Sequence, residues 1–182
     1  YTVTYTFGNS NSCNNTATAT VTILPLPSAS ISGTATVCQG ATSPVITFTN
    51  SSALPVTITY TINNGTNLTI NVSANSTATV SAPTGTAGTF KYDLISVQYQ
   101  NAPNCLTAIS GSATVLVNPL PTISGNLSMC AGLTTQLTGS GTAASSNTWT
   151  SSNTSVATVS SSGLVTGVAA GTATITYTDS NG

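Results

Sequence analysis

Apolar and polar positions alternate with period two along most of the chain, and no stretch carries the three-to-four spacing of a helix. In Thr2–Phe7, Val3, Tyr5 and Phe7 take one face and the threonines the other. After the polar turn Gly8–Asn15, Ala17, Ala19, Val21 and Ile23 repeat the pattern, which predicts a hairpin. Ala29–Val37 predicts two short strands bent at Gly33, and Val45–Thr49 another. Val56, Ile58, Tyr60 and Ile62 mark the clearest strand, and Asn63-Asn64-Gly65 reads as a type I′ turn into Leu68, Ile70 and Val72. Strands follow at Ala78–Val80, Gly88–Tyr99 and Ala113–Val117. Phe90, Tyr92 and Leu94 share one phase, while Ile95, Val97 and Tyr99 take the other, so a bulge is expected near Leu94–Ser96. About seven strands with frequent turns predict an antiparallel β-sandwich.

The pattern is also duplicated. Cys13 and Cys38 are 25 residues apart, and so are Cys105 and Cys130. Each interval runs from an alternating strand through Pro-Leu-Pro into Ile-Ser-Gly and a Cys-x-Gly turn. Pro25 and Pro27, like Pro119 and Pro121, keep the chain extended and remove backbone donors, so a sheet cannot continue across them. These segments are read as linkers in an all-β tandem array. Residues 1–24 would be the C-terminal hairpin of one domain, 28–117 a complete domain, and 122–182 a further domain without its last strand.

Composition narrows the function classes. Charged residues are 2% of the 182, namely Lys91, Asp93 and Asp179. Nucleic acid and anionic bilayers both select clustered Lys and Arg, so neither is an expected partner. No apolar run is long enough to span a bilayer as a helix, so insertion of this segment is not expected. The chain opens in mid-strand at Tyr1 and closes in a turn at Gly182, and is expected to be a piece of a longer exported protein.

Residues 148–178 carry the most specific motif: Trp149, Ser151-Ser152-Asn153, Val156-Ala157-Thr158-Val159, Gly163-Leu164-Val165-Thr166-Gly167 and Gly171-Thr172-Ala173-Thr174-Ile175-Thr176. This stretch, and with it residues 122–182, closely resembles the bacterial immunoglobulin-like group 2 family. On that resemblance Trp149 fills the sandwich core, Gly163 and Gly167 supply turn conformations, and Ile175 and Tyr177 point inward. Residues 28–117 resemble immunoglobulin-like repeats with paired cysteines in very long surface proteins of gliding Gram-negative bacteria. Both resemblances imply an extracellular or cell-surface adhesin, stalk or filament.

Two disulfide schemes stay open. Pairing within units gives Cys38–Cys105 and leaves Cys13 and Cys130 for partners outside this segment. Pairing across the joints gives Cys13–Cys38 and Cys105–Cys130. Two strands and an extended linker hold the joint cysteines tens of ångströms apart unless the chain doubles back, at about 3.3 Å per residue. A bridge needs Cα atoms about 5.5 Å apart, which favours the first scheme. Either implies an oxidising compartment.

Catalytic material is scarce. With no His, Glu or Arg there is no ordinary triad, metal-activated water or carboxylate pair, and no cofactor or metal is expected. Lys91 and Asp93 share the outward face of one strand as a solvated pair. The expected partners are neighbouring copies or flanking repeats of the same protein. The alternative is a recognition module that binds surface glycans through Asn50–Pro55 and Tyr99–Ile109, with Tyr99 as the exposed ring and Gln100 and Asn101 beside it.

The ends look complementary: the last domain lacks a closing strand, and the first segment is a hairpin with no domain. Either one long polypeptide completes both, or successive protomers donate Ala17–Ile23. Continuity is favoured, because Tyr1–Phe7 duplicates the strand already present at Thr172–Thr178.

Overall fold

A computed structural model describes residues 1–8 and 14–181, and among these every regular element is a strand. The chain divides into two compact units. One comprises Tyr1–Ser32, Thr47–Thr79 and Tyr92–Ser112, and the other Gly33–Ile46, Val80–Lys91 and Ala113–Gly182.

The strands in chain order begin with β1 (Thr2–Gly8), β2 (Asn14–Thr20), β3 (Ala29–Ser32), β4 (Ala35–Cys38), β5 (Val45–Asn50) and β6 (Val56–Ile62). Next come β7 (Leu68–Val72), β8 (Ser76–Ser81), β9 (Gly88–Tyr99), β10 (Leu106–Ala108), β11 (Ser112–Asn118) and β12 (Ile123–Ser124). The last are β13 (Thr134–Gln136), β14 (Thr138–Gly139), β15 (Trp149–Ser151), β16 (Ala157–Val159), β17 (Leu164–Gly167) and β18 (Ile175–Tyr177). Both Pro-Leu-Pro segments lie outside every strand.

In the first unit β1 and β2 form the predicted hairpin, from Thr2 opposite Thr20 to Gly8 opposite Asn14. Its ladder is extended by Tyr1 and Val21, which exchange backbone bonds of 2.9 and 3.1 Å. Its apolar face is exposed, with Tyr1 89% and Tyr5 67% accessible. The core of this unit lies under β6 and β9. Val56, Ile58 and Tyr60 alternate inward as their period requires, and Tyr60 sits between Phe48 at 4.7 Å and Tyr92 at 6.4 Å between ring centres. Asn63 and Asn64 both adopt positive φ (51° and 57°) and Gly65 N–H donates to Ile62 O, the predicted type I′ turn between β6 and β7.

The expected bulge is present. Thr59 opposes Ser96 but Tyr60 opposes Leu94, so Ile95 is the extra residue on β9 and its side chain faces out. Absorbing Ile95 restores one phase to the strand, and Tyr92, Leu94, Val97 and Tyr99 all point inward.

In the second unit Gly33 separates the preceding strand from β4 with φ 113°, and a Cβ there would strike the Val45 carbonyl oxygen, so only glycine fits. β11 runs alongside β4, Val115 opposite Ala35 and Val117 opposite Val37, with Ala113, Val115 and Val117 buried. This pair is parallel, which an all-antiparallel expectation did not include. Some 75 residues of intervening chain supply the long return that parallel pairing requires. β17 lies between β13 and β16, β12 pairs β14, and β15 pairs β18, all antiparallel. Leu137, Val165 and Tyr177 form their core. Trp149 is half-buried against Tyr177, with ring centres 4.8 Å apart. Gly163 takes the turn conformation expected of it (φ 85°), whereas Gly167 does not. At Gly167 glycine serves close approach instead, since a Cβ would lie 3.1 Å from Cys130 O.

Candidate functional site

The open feature of the second unit is one edge of β18. Among the described residues β18 pairs only with β15. Ser152 N–H donates to Thr174 O at 3.0 Å and Thr178 N–H to Thr148 O at 2.8 Å. Antiparallel pairing alternates bonded and non-bonded positions, so Thr174, Thr176 and Thr178 turn their backbone groups toward β15. The N–H and C=O groups of Ile175 and Tyr177 therefore aim the opposite way, along a free edge. The segment leading into β18, Gly171–Ala173, lines a cavity of about 580 Å³ together with Met129, Leu137, Val156 and Val165. The arrangement provides backbone donors and acceptors beside a recess of mixed lining, with Asn126, Ser128 and Thr135 among its polar residues. It contains no charged side chain.

The two loops expected to read glycans are organised differently from the expectation. Tyr99 is buried, 2% exposed, and its hydroxyl donates to Pro25 O at 3.0 Å. The bulge at Ile95 returns Tyr99 to the inward phase, so it offers no stacking face. Gln100 is exposed, but its amide donates to Val56 O at 2.8 Å. In the Asn50–Pro55 loop, Asn50 is buried and fully engaged. Its amide nitrogen donates to Leu54 O and Ser73 O, each at 2.9 Å, and its Oδ1 accepts Ser52 N–H at 2.8 Å. Ser52 in turn accepts Ser28 N–H at 3.0 Å. These polar groups hold the loop to its own unit and are not displayed. Among the described residues the exposed tyrosine rings are Tyr1 and Tyr5, both in the hairpin.

Cys38, Cys105 and Cys130 are thiols, Cys38 and Cys130 in one unit and Cys105 in the other, and Cys13 lies outside the described residues. Cys38 ends β4 with its sulfur 4.0 Å from Asn181 O. Cys105 is held in the turn before β10, its N–H on Pro103 O and its O accepting Tyr99 N–H. Spacing along the sequence does not encode where these loops point.

Lys91 is exposed and Asp93 half-buried, alternating with buried Tyr92 and Leu94 as the strand period requires. Asp179 is buried, its carboxylate accepting the Asn181 N–H at 3.0 Å and side-chain amide at 3.2 Å. Burial pushes the Tyr60 phenol above its ordinary pKa, and burial together with the neighbouring Tyr60 does the same to Tyr92.

Strand content, sheet pairing and core placement define an immunoglobulin-like all-β protein. Residues 110–182 match the bacterial Ig-like domain (group 2) family, a span that begins just before β11 and contains the motif residues named above. No curated protein matches the sequence. Among solved structures, the chain is similar to the C-terminal 282-residue fragment of intimin, crystallised in complex with the intimin-binding domain of the translocated intimin receptor. The identity is 24%, the alignment covers 88% of this chain and the TM-score is 0.49. The chain spans 61% of that fragment.

Proposed function

We propose that this chain is a structural repeat segment of an extracellular bacterial adhesin, stalk or filament, with no catalytic role of its own. The observation that carries the reading is the match of residues 110–182 to the bacterial Ig-like domain (group 2). The duplicated Cys-to-Cys interval and its Pro-Leu-Pro segments support tandem domains at 28–117 and 122–182, with 1–24 as the closing hairpin of another. An almost uncharged surface rich in Thr, Ser and Asn suits a spacer: it offers trypsin-like proteases one Lys and no Arg, and it changes little with salt. The buried ring of Tyr99 and the engaged side chains of Asn50 and Ser52 leave the glycan-reading alternative without a platform in its own loops.

Antibodies raised against residues 1–182 test the reading on the source cells. Labelling of intact cells, lost on brief external protease treatment, is the expected result. Labelling that requires permeabilised cells overturns it.

A further inference from the structure

A second recess of the second unit, of about 300 Å³, lies where β13, β14 and β15 meet the turn before β17. Gln136, Thr138, Thr148, Trp149, Ser161 and Tyr177 are among its lining residues, and none of the lining is charged. Two glycines set its geometry. A Cβ at Gly163 would lie 3.0 Å from Trp149 Cε2 and 3.1 Å from Gln136 Nε2, so the indole and the amide converge on that one backbone position. At Gly139 a Cβ would strike the Tyr177 ring, which in turn packs against Trp149.

The polar groups are held in place as well. Gln136 Nε2 donates to Leu137 O and Ser162 O, each at 2.7 Å. Two carbonyl acceptors identify that end of the amide as the nitrogen and use both its protons, so Gln136 offers a ligand its Oε1. The Thr148 hydroxyl donates to Ala144 O at 2.7 Å, which leaves its oxygen as a second acceptor. Thr138 and Ser161 are exposed and add hydroxyls that can donate or accept.

We propose that this recess binds a neutral sugar residue of a glycan, stacked on Trp149 and hydrogen-bonded through its hydroxyls to Gln136 Oε1 and Thr148 Oγ1. A pyranose is apolar on its faces and hydroxylated around its rim. It therefore suits an aromatic ring set beside fixed acceptors, the pairing that Gly163 holds together. Sugar hydroxyls supply the donors that the two acceptors lack. A flat apolar ligand without hydroxyls would leave those acceptors dry. An anionic sugar would need a cation, and Lys91, the one cationic side chain of the sequence, is not among the lining residues. The volume stands at the low end of small-molecule sites, which run from about 300 to 1,000 Å³, and suits a single sugar residue. Amide and hydroxyl are already fixed by their backbone bonds, so binding orders little that was free. The site is distinct from the Asn50–Pro55 and Tyr99–Ile109 loops, and it stands whether or not the chain is a structural repeat of an adhesin.

Trp149 is the single tryptophan of the sequence, so its emission reports this recess alone. The 182-residue chain is titrated with lactose, cellobiose, chitobiose and mannobiose. At least one is expected to give a saturable change in emission, matched by calorimetry, with a Kd on the order of 1 mM. N-acetylneuraminic acid, which is anionic, is expected to give none. Gln136→Leu, at an exposed position, removes Oε1 and should weaken binding about tenfold with unchanged circular dichroism. Ser161→Arg, also exposed, should crowd the recess to similar effect and carries the test if Gln136→Leu is unstable. No saturable change with any of the neutral sugars overturns the proposal. Binding that both variants leave unchanged, or that favours N-acetylneuraminic acid, overturns it too.

Discussion

Val115 and Val21 hold equivalent places in the two copies of the repeat, and one is sealed while the other stands in water. Val115 in β11 is fully buried. Val21, just past β2, is 48% exposed. Their surroundings in sequence are nearly the same: alternating Ala, Thr and Val running into Pro-Leu-Pro. Local sequence therefore decides that each is extended and which side chains share a face. Burial is decided by what lies across that face, and this is where the stability resides.

Breaking the comparison at its sealed end gives the largest effect. Val115→Asp places a carboxylate in the core with no partner and is expected to cost about 4 kcal/mol or more in urea unfolding. Next is Gly33→Val, where positive φ and collision with the Val45 carbonyl should together cost about 2–3 kcal/mol by the same measurement. Asn64→Ala puts alanine at φ 57° in the type I′ turn and should cost about 1 kcal/mol. Raising the pH sharpens the contrast without mutation. The Tyr60 and Tyr92 phenols titrate above their ordinary value in the fold, so below pH about 10 both states hold these protons and stability is unchanged. Above it the unfolded chain loses protons the fold retains, and stability falls. Absorbance at the phenolate band should therefore show Tyr60 and Tyr92 ionising only as the chain unfolds. The smallest effect belongs to Val21→Asp, expected within about 0.5 kcal/mol of wild type. A loss there as large as at Val115 would show that the hairpin face is covered in solution.

Much of the strand plan was legible from alternation. The turn at Asn63-Asn64, the bend at Gly33 and the extra residue at Ile95 each follow from a local rule about φ or side-chain phase. The family motif gave the inward Tyr177 and the Gly163 turn, whereas Trp149, expected to fill the core, is half-buried against Tyr177. What misled was each inference that needed the third dimension. Tyr99 reads as a loop residue until the bulge is carried through to the end of β9. The parallel run of β4 beside β11 is a long-range pairing that no local period announces. The β18 edge was legible only as an unmatched strand. Its bonding phase, which gives the edge its meaning, required knowing which neighbour β18 already has.

The parallel pair has a mechanical consequence. Tension applied to the chain enters β4 from its N-terminal side and leaves β11 from its C-terminal side. Because the strands point the same way, that tension slides one along the other and loads the backbone bonds from Val115–Ala35 to Asn118–Cys38 together. The β1–β2 hairpin is pulled at adjacent ends, Tyr1 and Val21, so its bonds open singly, like a zipper. Stretching single molecules by their termini should therefore give a yield force set by β4 and β11, preceded by a nearly forceless extension from the hairpin. Thr36→Pro, which places a ring in the sheared strand, should lower that yield force.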